Sequence, residues 1–84
     1  MYKATIFVTL KESVLDPQGE AVKGSLHTLG YQSVTSVRIG KQIEVMLNVT
    51  DHAQAEAQVQ AMSEKLLANT VVENFRYELE EVTA

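Results

Sequence analysis

The sequence has no cysteine and no tryptophan, a single proline and four glycines among its 84 residues. Without cysteine there is no disulfide or thiolate-bound zinc to stiffen a small core, and no thiol nucleophile. Basic residues are scarce too: seven Lys and Arg stand against eleven Asp and Glu, a formal net charge of -4. A nucleic-acid binder usually shows the opposite balance or a concentrated basic stripe, so that class is set aside. No apolar run nears the roughly 20 residues of a membrane span. The opening Met1-Tyr2-Lys3-Ala4-Thr5 enters an alternating pattern at once, which predicts a cytoplasmic protein without membrane or nucleic-acid partners.

What is present is a globular composition, with 45% hydrophobic residues. The length corresponds to one domain, residues 1–84. A domain this short buries only about 60–65% of its unfolded surface. With no covalent staple, self-association or docking onto something larger is expected.

The periodicity predicts β-α-β-β-α-β. Tyr2, Ala4, Ile6, Val8 and Leu10 alternate with Lys3, Thr5, Phe7, Thr9 and Lys11, a half-buried strand. Asp16 is a helix cap and Pro17 suits the first helical position, with Val22, Leu26 and Leu29 at helical spacing and Gly30 as the stop. Residues 34–39 alternate weakly, and Ile43, Val45, Leu47 and Val49 alternate cleanly. Gly40-Lys41 between them has the form of a type II′ hairpin turn. Asp51 opens a second helix with the stripe Ala55, Val59, Met62 and Leu66, ended by Asn69 and Thr70. Phe75, Tyr77 and Leu79 mark the last strand, placed at residues 71–82. The expected fold is α+β and ferredoxin-like, an antiparallel sheet with both helices on one face. Phe7 and Met46 then lie on the uncovered face and are the candidate self-association residues.

No catalytic constellation emerges. His27 sits in the first helix and His52 at the start of the second; the two helix starts lie at opposite ends of the expected sheet, and no Ser-His-carboxylate cluster has an obvious assembly point. Gly19 and Gly24 have P-loop spacing, but Ser25-Leu26 replaces the Lys and Ser/Thr that would touch phosphate. No metal-ligand motif occurs. Attention therefore falls on one edge, where topology brings together residues 11–19, 38–41 and 68–70. Asp16-Pro17-Gln18-Gly19 is either a simple helix start or a set of N–H groups that holds an anionic partner group. Lys11, Arg38 and Lys41 make the edge locally basic, although each also reads as a solvated charge, and Asn69 as a helix terminator. The candidate docking residues are Lys11, Asp16, Pro17, Gln18, Gly19, Arg38, Gly40, Lys41 and Asn69.

These stretches resemble a known family. Val8-Thr9-Leu10-Lys11, Val14-Leu15-Asp16-Pro17-Gln18-Gly19, Leu29-Gly30-Tyr31, Val37-Arg38-Ile39-Gly40-Lys41 and the run Leu66-Leu67-Ala68-Asn69-Thr70-Val71-Val72-Glu73-Asn74-Phe75 are similar to the PurS family. That family is the small subunit of phosphoribosylformylglycinamidine synthase in purine biosynthesis. Thr70 departs from the family's usual proline. The resemblance implies a subunit with no catalytic residues and no cofactor of its own. It would bridge a large synthetase subunit, which carries ATP and magnesium, and a glutaminase subunit, and support ammonia transfer between them. It also implies a homodimer or a dimer of dimers. The alternative is a small ligand-binding regulatory module of ferredoxin-like fold, which would usually show a glycine-rich effector loop. A small independent enzyme is the third class, and the missing constellation argues against it.

Overall fold

The structure is a computed structural model and describes residues 1–83. Its elements are β1 (Tyr2–Leu10), α1 (Pro17–Thr28), β2 (Gly40–Leu47), α2 (His52–Met62), a π-helical turn (Ser63–Leu67) and β3 (Glu73–Glu81). The three strands form one antiparallel sheet in the order β2-β1-β3. The fold is α+β on the ferredoxin-like plan, with one expected strand left out of the ladder.

The first strand in sequence is the central one, and its period-two pattern fixes the register. Ile6 stands opposite Ile43 on one side and Tyr77 on the other, and Ala4 opposite Val45 and Leu79. A slip by one residue would turn this whole apolar set to water. Tyr2, Ala4, Ile6 and Val8 are buried with Leu47, and α2 closes over them through Ala55 and Val59. α2 packs across β1 and β3. Its cap is as the sequence predicts, with the Asp51 carboxylate accepting from Ala53 N–H at 3.2 Å.

Four expectations are corrected. Residues 34–39 form no strand, so the edges of the sheet are β2 and β3. Gly40 and Lys41 are not a hairpin turn but the first rungs of β2, opposite Thr9 and Val8. A Cβ on Gly40 would sit 2.6 Å from the Val8 carbonyl oxygen, so the glycine serves close strand approach. Leu66 is 81% exposed instead of completing the α2 stripe. The π turn, closed by Ala68 N–H to Ser63 O at 2.9 Å, inserts an extra residue, so Leu67 and Ala68 face the core instead. Finally, α2 lies on the core face, but α1 buries only Gly19 and contributes nothing to the core, leaving Val22 and Leu29 exposed. Gly30, at φ 103°, ends α1 in the left-handed conformation that its position requires.

A wired edge at the exit of the first strand

Three loops meet beyond the end of β1. Lys11 N–H donates to the Val72 carbonyl at 2.9 Å, joining the exit of β1 to the entry of β3. The start of α1 is held to the segment that leads into β2 by Asp16. Its Oδ1 accepts from Gly19 N–H at 2.9 Å, the helix cap, while Oδ2 accepts from Ile39 N–H at 2.8 Å. The side chain is buried. The Ile39 N–H, then the Gly19 N–H, hold the carboxyl below the usual range, and these outweigh burial, which pushes the other way. Asp16 is thus a fixed anion with both carboxylate oxygens engaged by backbone N–H groups, a structural tie and a poor general base.

Gly19 is the one buried residue of α1, for a steric reason. A Cβ there would lie 2.2 Å from the Val37 carbonyl oxygen. Arg38 closes the same junction from outside. Its Nη2 donates to the Leu10 and Lys11 carbonyls, each at 2.8 Å, and its Nη1 reaches the Val14 carbonyl at 3.4 Å. Lys41 Nζ lies 3.7 Å from Glu73 Oε2, and Glu73 Oε1 accepts from Asn69 N–H at 2.7 Å. Asn69 in turn accepts from Val71 N–H through Oδ1 at 3.2 Å. Pro17 and Gln18 are exposed on the first turn of α1.

The convergence of loops is therefore present, but the edge is not simply basic. Asp16 and Glu73 stand among Lys11, Arg38 and Lys41, and most of the polar groups are turned inward onto one another. Between them lies a cleft of about 260 Å³ lined by Val8, Asp16, Gln18, Ile39, Lys41 and Glu73. Sequence reasoning missed Glu73, which joins Lys41 of β2 to Asn69 in the loop before β3. It also missed that this edge exposes large apolar side chains. Leu15 is 73% exposed, Leu66 81% and Val71 80%. Rigid loops carrying exposed aliphatic side chains suit protein contact better than chemistry on a small molecule.

Elsewhere the histidines are apart. His27 Nε2 is 2.8 Å from the Val34 carbonyl oxygen, and His52 lies 3.8 Å from Glu56 and edge-on to Tyr2. Among the described residues no three His, Cys, Asp or Glu side chains are grouped as metal ligands. On the outer face of the sheet Met46 is 54% exposed, while the Arg76 guanidinium covers the Phe7 ring at 4.0 Å.

Comparison with known proteins gives these features a setting. The PurS family, described as phosphoribosylformylglycinamidine (FGAM) synthase, matches residues 3–81. The chain is 54% identical to the phosphoribosylformylglycinamidine synthase subunit PurS of Bacillus subtilis, over all of this chain and 99% of that one. It is 33% identical to the subunit from Methanocaldococcus jannaschii, over 98% of this chain and 99% of that one. In structure it is similar to B. subtilis PurS, with a TM-score of 0.86 at 53% identity, covering 96% of this chain and all of the other. It is also similar to a chain in the structure of PurLQS from Thermotoga maritima, with a TM-score of 0.85 at 29% identity, covering 94% and 96%.

Proposed function

This chain belongs to the PurS family, and from that premise we propose that it is the non-catalytic bridging subunit of phosphoribosylformylglycinamidine synthase, joining the synthetase subunit to the glutaminase subunit. PurS chains are subunits of this enzyme of purine biosynthesis. The observation that carries the bridging role is the likeness, along 94% of the chain, to a protein solved within a PurLQS structure. The large subunit supplies the ATP and magnesium sites, and the glutaminase releases ammonia with its own cysteine, a residue this chain lacks. The wired edge around Asp16, Arg38 and Lys41 then holds Leu15, Leu66 and Val71 in place for a partner, and the assembly keeps the ammonia path intact.

Self-association is part of the reading, as a dimer or a dimer of dimers. An open sheet with two free edges and an exposed Met46 gives it a cause. The test is reconstitution from the three purified subunits. A complex containing all three is expected, with a gain in glutamine-dependent turnover and little change in turnover driven by ammonia. No complex, or no gain over the two larger subunits alone, defeats the proposal.

A further inference from the structure

The cleft beyond the end of β1 carries charges of both signs on apolar walls. Val8 and Leu10 stand opposite Lys41 of β2 and Glu73 of β3 in the two ladders, so all four side chains project from one face of the sheet. Ile39 adds to the apolar wall, and Asp16 and Gln18 close the cleft from the start of α1. At about 260 Å³ it falls below the ~300–1,000 Å³ of clefts that take drug-sized molecules, so it suits something smaller.

Two of its charged groups are only half used. Lys41 Nζ and Glu73 Oε2 are 3.7 Å apart, whereas a hydrogen-bonded ammonium and carboxylate close to about 2.7–2.9 Å. Asn69 N–H occupies Glu73 Oε1, and neither Oε2 nor the ammonium has another partner among the described residues. The glutamate side chain is 16% exposed, a fixed acid in the wall, while the lysine is exposed at the mouth. A molecule bearing both charges fits this gap. In an α-amino acid the bonds to one carbon hold the nitrogen and a carboxylate oxygen about 3 Å apart. With each at ~2.8 Å from its counterpart, the four atoms close a ring across the 3.7 Å separation. Single ions fit worse. An anion at Lys41 meets the carboxylates of Glu73 and Asp16, and a cation at Glu73 meets Lys41.

We propose that this cleft binds a free α-amino acid with a short aliphatic side chain, its carboxylate on Lys41, its ammonium on Glu73 and its side chain against Leu10 and Ile39. The buried Asp16 carboxylate, whose oxygens are already engaged by backbone N–H groups, adds its charge to the pull on the ammonium. The bound molecule joins β2 to β3 across the end of β1, so the folded chain gains stability as the site fills. The site is independent of the bridging role and is tested on the isolated full chain, so its failure leaves that role standing.

The chain is titrated with L-alanine and L-valine to tens of millimolar, and with 4-aminobutyrate, acetate and methylammonium as controls. Backbone amide shifts and melting temperature are read together. Saturable shifts centred on Gly40, Lys41 and Glu73, with a rising melting temperature, are expected for the α-amino acids. The controls should not saturate, since 4-aminobutyrate holds its charges too far apart and the other two carry one charge each. Glu73→Gln keeps an oxygen for Asn69 N–H and Lys41→Met keeps the length of the side chain, so each removes a charge and little else. Each is expected to weaken binding roughly tenfold or more. No saturable shift with either α-amino acid overturns the proposal. So does equal binding of 4-aminobutyrate or of a single ion, which reduces the site to an unspecific charge. Saturable binding that both variants leave unchanged lies elsewhere on the chain and overturns it too.

Discussion

Asp16 and Ile39 are 23 residues apart, yet one carboxylate oxygen of Asp16 accepts the Ile39 N–H at 2.8 Å while the other caps α1. A residue that reads as an ordinary helix cap therefore also fixes where the chain enters β2. Asp16→Ala removes both acceptors and is expected to lower the melting temperature more than Asp51→Ala, which removes one exposed cap. Melting curves on the two variants check it.

The same carboxylate predicts a pH dependence. Its folded pKa lies below the ordinary aspartate value of 3.8, so its contribution is fully present above that value and fades as pH falls through the lower folded pKa. Part of the acid-side loss of stability in the wild type therefore comes from Asp16. Asp16→Asn is less stable at neutral pH, and its melting temperature falls less steeply below about pH 4. Parallel wild-type and variant profiles would exclude this.

Two glycines of α1 behave oppositely. Gly19→Ala drives a Cβ to within 2.2 Å of the Val37 carbonyl and is destabilising despite the better helix former. Gly24→Ala meets nothing within 4 Å and is expected to stabilise by roughly 0.5–1 kcal/mol. Denaturant titrations of the two variants separate the effects.

Arg38 and Lys41 also part company. Arg38→Ala frees three backbone carbonyls and is expected to lower both stability and partner binding. Lys41→Ala removes an ion pair to Glu73 from a lysine side chain 59% exposed, costing at most about 1 kcal/mol of stability. Weakened ternary assembly by Lys41→Ala with an unchanged melt marks a docking charge. Unchanged assembly reduces the pair to a local contact.

The exposed aliphatics give the sharpest test of the edge. Leu66→Ser and Val71→Ser, at 81% and 80% exposed positions, should alter the stability of the isolated subunit by within about 0.5 kcal/mol. If they anchor a partner, each costs roughly 1–4 kcal/mol of binding. Titration against the synthetase and the glutaminase separately shows which partner uses them.

Much of this architecture was legible because it is local. The alternation from Tyr2 to Leu10, the caps at Asp16 and Asp51 and the stop at Gly30 each depend on a few neighbouring residues, and each stands as read. The errors arose where a distant contact decides. Gly40 looks like a turn until the Val8 carbonyl is known to lie against it. Leu66 fits the α2 stripe until the π turn at Ser63 shifts the phase by one residue. Arg38 reads as a free surface charge because its carbonyl partners are 24 to 28 positions away. Residues 34–39 have only a weak strand pattern, and nothing in their own composition says whether a ladder receives them.

Placing the first strand at the centre of the sheet has a consequence for how the chain folds during synthesis. Tyr2 pairs with Leu47 on one side and Glu81 on the other, so the ladder around β1 is incomplete until Glu81 has been made. Until then Ala4, Ile6 and Val8 form an apolar strand with one or both edges open, while long loops must close before pairing rewards them. Folding should therefore be slow for so small a domain, and truncation within Glu73–Glu81 should release an aggregation-prone chain in place of a smaller folded one.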